Sequence, residues 1–136
     1  MGRLRAIALF AVPHLMQTEI TLRPCAQSEQ TAFDWGALTW FASGPLGNSD
    51  DMTVGRCVLK PGCSNPRHFH PNCSEVLVVI KGRIEHTSAG GGVAVMNEGD
   101  VVNIPANVRH CARNIGDTEA VLFIAFSSAH RQTVGE

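Results

Sequence analysis

Apolar residues in this chain fall in short runs separated by clusters of glycine, proline, asparagine and aspartate, and no long helical period joins them. The runs cover residues 38–42, 52–59, 75–80, 84–87, 93–96, 101–104, 108–114 and 121–126. Strand-length segments with turn residues every eight to twelve positions predict an all-β sandwich or barrel. The three glycines at 90–92 predict a hairpin between residues 84–87 and 93–96. Residues 76–80 and 121–126 are apolar at nearly every position, so both faces of these strands call for cover. The opposing sheet would provide one cover, and the N-terminal segment or a second subunit the other.

Outside these runs the pattern fades. Residues 1–36 read as an irregular lead-in with one edge strand at 19–22, residues 37–128 as one barrel, and 129–136 as a C-terminal tail. The first five residues are basic and residues 6–12 apolar, which outlines a secretory leader. Pro13 and His14 interrupt it and no small-residue cleavage site follows closely, so a cytoplasmic location is expected. Met16 is an alternative start, which would make residues 1–15 an extension outside the native protein.

Two glycine-bounded blocks carry the candidate chemistry. The first runs Gly62, five residues, His68, Phe69, His70, four residues, Glu75, six residues, Gly82. After sixteen intervening residues the second begins with Gly99, then Pro105, His110 and Asn114. His68 and His70 are two apart, so on a strand both rings project from one face. Glu75 opens the next strand and His110 arrives from a later one. Three imidazoles and one carboxylate make a mixed nitrogen and oxygen donor set for one divalent transition metal (Fe, Mn, Ni, Cu, Co or Zn), with positions left for water or substrate. Calcium, magnesium and a thiolate zinc cage are disfavoured by the same donors.

Both blocks resemble the two signature motifs of the cupin superfamily, small β-barrels of jelly-roll type. The likeness extends over roughly residues 38–126, and the first block matches at every defined position. The second departs once, with Asn107 where the family usually has glycine. Asparagine tolerates positive φ better than most residues, so the same turn is expected. The resemblance implies that His68, His70, Glu75 and His110 bind the metal. It also implies a small oxygenated organic substrate, with dioxygenase chemistry ahead of isomerase, lyase or cyclase chemistry. A non-catalytic small-molecule-binding cupin is the alternative. Glu75 sets the chain apart from the thiol dioxygenase branch, which lacks that carboxylate.

Further residues are candidates for substrate contact: Arg56 as a charge inside an apolar run, His86 just beyond Gly82, and Asn114, whose other reading is to fix a turn. Trp35 and Trp40 are assigned to core packing or a subunit seam, with a place at the pocket mouth as the alternative. Composition narrows the partners. A formal charge of -1 with scattered basic residues excludes an extended phosphate-binding surface. Five cysteines without paired spacings read as ordinary thiols, and Cys111 should face away from the metal. The expected assembly is a homodimer, with neither nucleic acid nor membrane as partner.

Overall fold

The structure, a computed structural model, describes residues 19–135. The leader-like segment and the alternative start at Met16 lie outside the described residues. Among those described, the strands are β1 (Gln30–Phe33), β2 (Gly36–Ala42), β3 (Thr53–Leu59), β4 (His68–Phe69), β5 (Glu75–Lys81), β6 (Ile84–Ser88), β7 (Val93–Met96), β8 (Val101–Ile104), β9 (His110–Asn114), β10 (Ala120–Phe126) and β11 (Val134–Gly135). Two antiparallel sheets form a jelly roll. One has the order β1-β2-β3-β10-β5-β8 and the other β11-β4-β9-β6-β7. No helix among the described residues is long and apolar enough to cross a membrane.

The expected strands are present, with one correction in the lead-in. Residues 19–22 form no strand, and Ile20 and Leu22 are exposed. The edge strand is instead β1, further along, and it pairs with β2 of the same chain. A strand at 19–22 would need a neighbour to satisfy its backbone, and the sheet edge is already taken by β1.

Leu59, Val79, Ile84 and Leu122 fill the space between the sheets and are almost fully buried. The alternation along β3, β5 and β10 is strict. Cys57, Leu77, Leu122 and Ile124 point inward, and Val76 and Phe123 point outward and stay partly exposed. The described part of the lead-in, residues 19–36, therefore leaves the outer face of the larger sheet exposed at these positions.

The turns depend on backbone chemistry. Gly62, Gly82 and Gly99 all sit at positive φ, and Asn107, at φ 66°, is the one non-glycine residue among those described to do so. The departure from glycine at 107 thus keeps the turn, as expected for asparagine. Gly55 serves a different need. A Cβ there would lie 2.6 Å from the Trp40 ring, so its absence lets the indole lie flat across β3.

Candidate metal centre

The four motif residues converge. His68 on β4 is the direct cross-strand partner of His110 on β9. Glu75 enters from the other sheet at the start of β5. His70 is held just past β4, where its carbonyl accepts the Asn107 N–H at 2.9 Å. The positive-φ turn that precedes His110 within the second block is thereby tied to a ligand of the first. One donor atom from each of the four lies within 4.8 Å of the others. His70, Glu75 and His110 are buried, and His68 is half-buried on the open side.

Each imidazole is anchored by its outer nitrogen. Nδ1–H donates to the backbone carbonyl of Pro66 from His68 (2.7 Å), of Gln132 from His70 (2.8 Å) and of Val108 from His110 (2.9 Å). That sets the tautomer and turns each Nε2 inward. Nε2 of His70 and of His110 lie 3.1 and 3.0 Å from Glu75 Oε2. With Nδ1 carrying the proton of a neutral ring, each Nε2 would aim a lone pair at a carboxylate oxygen. Such a face-to-face meeting of acceptors is relieved by a cation, either protons or a metal ion. The donor set thus fits a divalent transition metal as the cofactor, held by His68, His70, Glu75 and His110.

Electrostatics agree. Burial alone would raise the Glu75 carboxyl, but the contacts with His110 and His70 outweigh it and hold the group down at about 2. His110 is pulled in two directions: burial lowers it, while Glu75 and the Val108 carbonyl raise it to a net upward shift. His68 is lowered, chiefly by burial and against the pull of Pro66.

The centre opens into a cavity of about 200 Å³ walled by Trp35, Leu38, Trp40, Leu77, Leu122 and Ile124. The tryptophans wall the pocket while packing against the core, so both the core reading and the pocket reading hold for them. They do so because β2 sits beside β3 in the larger sheet and turns Leu38 and Trp40 to its inner face. Cys57 also faces the cavity, and burial, with Glu75 adding to it, pushes its thiol up to about 12, so it stays protonated. Asn65 lines the wall near His68. Its Oδ1 accepts the Ala112 N–H at 2.8 Å, which leaves its amide nitrogen as the donor beside the centre.

The three residues proposed for substrate contact are placed elsewhere. Arg56 lies on the outer face of the larger sheet, directly opposite Phe123 and 5.7 Å from the Phe41 ring, because its neighbour Cys57 takes the inward position. Asn114 is fully buried, and its amide is spent on backbone: Nδ2 donates to Leu59 O (2.9 Å) and Thr118 O (2.8 Å), and Oδ1 accepts the Gly116 N–H (2.9 Å). It fixes a turn. His86 is buried and stacks on His110 with centroids 5.5 Å apart, but it borders a different cavity, beside Ser88, Val102 and Pro105.

The segment set aside as a tail completes the site. Strand β11 pairs with β4, Gly135 opposite His68. The approach to it is clamped by Asn72, whose Nδ2 donates to His130 O and whose Oδ1 accepts the Gln132 N–H, both at 2.9 Å. This return supplies the Gln132 carbonyl that orients His70 and places Arg131 and Thr133 in the cavity wall. No spacing within the motifs signals it; the asparagine after the second histidine is its nearest trace.

A family model for the cupin domain matches residues 55–126. This chain is a cupin. Among curated proteins it is 33% identical over 95 residues to germin-like protein subfamily 3 member 2 of Arabidopsis thaliana, covering 62% of this chain and 42% of that protein. It is 30% identical over 94 residues to oxalate oxidase GF-2.8 of Triticum aestivum, covering 64% of this chain and 42% of the other. The cupin thus spans about two-fifths of the length of the curated relatives it matches. Among solved structures, a mutant Bacillus subtilis oxalate decarboxylase superposes with a TM-score of 0.74 over 81% of this chain and 30% of its own, at 24% identity. A recombinant oxalate oxidase in complex with glycolate superposes with a TM-score of 0.69 over 77% of this chain and 57% of its own, at 26% identity.

Proposed function

We propose that this cupin is a metal-dependent oxidoreductase that uses molecular oxygen on a small organic acid. The observation that carries the reading is the quartet of His68, His70, Glu75 and His110, three of them buried, opening on its half-buried His68 side into a largely apolar cavity. The oxalate oxidases among its relatives support both the oxidation and the acid substrate. Dioxygenase chemistry, expected from the motifs, is one form of this proposal, and oxidase chemistry is the other.

When bound, the metal supplies Lewis-acid polarisation and, if redox-active, electron transfer. The chain's own residues prepare the site for it. The carbonyls of Pro66, Gln132 and Val108 hold the three rings so that little reorganisation is needed on substrate arrival. Glu75 stays ionised throughout the working pH range. The Asn65 amide is the hydrogen-bond donor at the wall. Trp35, Trp40 and the leucines exclude water, which strengthens every polar contact within.

The assembly and location belong to the same proposal. The partly exposed Val76, Ile80, Val101 and Phe123 on β5, β8 and β10 give a homodimer an apolar face to bury. The five free thiols suit a reducing cytoplasm.

The test is elemental analysis of protein purified without chelators, followed by oxygen-uptake assays over a panel of small carboxylic acids. Near-stoichiometric metal with acid-dependent oxygen consumption is expected. Acid consumption at an unchanged rate without oxygen would replace the oxidoreductase with a decarboxylase, lyase or isomerase. A protein that refuses every transition metal would overturn the reading.

A further inference from the structure

The C-terminal segment brings a cation into a cavity that otherwise has apolar walls. The Arg131 guanidinium lies 4.1 Å from the Trp40 ring centroid and 5.1 Å from that of Phe126, and Phe126 in turn meets His70 edge-on at 4.9 Å. One of its nitrogens donates to Thr133 Oγ1. No carboxylate among the described residues forms a salt bridge with it, and burial lowers its pKa from the usual arginine value, against the longer-range pull of Glu75 and Cys73. An arginine has five N–H donors in a planar fork that matches a carboxylate, and stacking on aromatic rings leaves the edges of that plane free. A half-buried guanidinium with donors to spare and no anion of its own is a place for the anion of a ligand.

The remaining wall sets the rest of that ligand. Away from the metal centre, Asn65, Arg131 and Thr133, the wall formed by Leu38, Leu77, Leu122 and Ile124 with Trp35 and Trp40 offers no partner for a charge. An ionised group pressed against them would go unpaired in low dielectric. The volume is also informative. An apolar cavity of about 150 Å³ accepts benzene, and this one, at about 200 Å³, has room for one ring and a short acidic arm.

We propose that Arg131 binds a carboxylate of the substrate, and that the substrate is an organic acid with an apolar body about the size of one aromatic ring. This rests on the reading of the centre as a metal site for organic acids and names the class of acid. It departs from the oxalate of the relatives' names, because oxalate would fill little of the apolar wall.

The test is calorimetric titration of the metal-loaded full chain with phenylacetate, phenylacetamide and oxalate as probes. Phenylacetate should bind at least about tenfold more tightly than either of the others, the scale of one charge-assisted hydrogen-bonded pair. Arg131→Gln should erase the preference of acid over amide while leaving metal content and melting temperature in place, and Arg131→Lys should restore part of it. Tighter binding of oxalate, no detectable phenylacetate binding, or an unchanged preference in Arg131→Gln would overturn the proposal. If Arg131→Gln fails to fold, the ranking of the three probes on the native chain still decides. Oxalate preferred and oxidised would leave the organic-acid reading standing and remove this one. A protein without metal would remove the former, while the preference for phenylacetate over its amide on that metal-free protein would still test Arg131.

Discussion

His86 and His110 stack nearly parallel, 5.5 Å apart and 21° between planes, both buried, and they are prepared for opposite tasks. His110 donates its Nδ1–H to Val108 O and turns Nε2 to Glu75, so its pKa rises in spite of burial. Nε2 of His86 is buried with no hydrogen-bond partner. Burial, with the charge of His110 adding to it, drives His86 down to about 4, so it stays neutral. The pair shows that burying a histidine in a barrel does not make it a ligand. A ligand needs a carbonyl to fix the tautomer and a carboxylate to gather the free nitrogens around one point.

The sharpest break in that comparison is His70→Ala. It should lower metal affinity by more than the roughly 10–100-fold typical of losing an outer partner, with the β-rich circular dichroism spectrum retained. Elemental analysis after dialysis checks this, and retained stoichiometric metal would mean the quartet is misassigned. Next in size is deletion of residues 131–136, which removes the Gln132 carbonyl from His70. A loss of roughly 10–100-fold in metal affinity is expected from losing that outer partner, read by competition with a chromophoric chelator. Full affinity in the truncated chain would show that the carbonyl does not orient the ring.

A third outcome concerns pH. His86 has a folded-state pKa near 4, below the ordinary 6.5, so the unfolded chain takes up its proton first as pH falls. The metal-free protein should therefore lose stability from pH 6.5 down to 4, with His68, also lowered, adding to the same trend and the raised His110 opposing it. Glu75 acts lower: its contribution is present above the ordinary 4.5 and is lost as pH falls toward about 2. His86→Leu should flatten the upper part of this profile in melting experiments, and an unchanged slope would count against the assignment to His86. The smallest effect is on metal binding by that same variant. His86→Leu should hold metal as the native chain does, and melt at the same temperature or higher at neutral pH, since an unpartnered buried nitrogen is removed. Loss of metal would place His86 among the ligands.

Much of the centre was legible before any tertiary structure. Two histidines at a spacing of two share a strand face by geometry alone, and glycines or an asparagine mark the turns because few other residues enter positive φ. Those local rules put His68 and His70 on one face and allow the turn at Asn107, and the resemblance to the family motifs joined Glu75 and His110 to them. Arg56 was misread because both parities of β3 are apolar at the flanking positions, Val54 and Val58 outward, Cys57 and Leu59 inward. Alternation then does not say which side is the interior. For Asn114 the turn-fixing reading holds and substrate contact does not: backbone carbonyls and an amide, which leave no mark in the side-chain pattern, take up its whole side-chain amide.

The chain's own order of residues thus indicated the barrel and the turns from neighbours within a few positions, and the two motif blocks, by their resemblance to a known family, indicated the metal-binding quartet. Tertiary structure decided what surrounds the quartet. The pairing of β11 with β4 joins Gly135 to His68 across most of the domain, and a two-residue strand has no periodicity of its own to announce it. Only that closure carries the Gln132 carbonyl to His70 and the Arg131 guanidinium to the cavity wall. Long-range pairing of so short a segment is settled by the surface it meets, here Asn72 and the edge of β4, rather than by the segment itself.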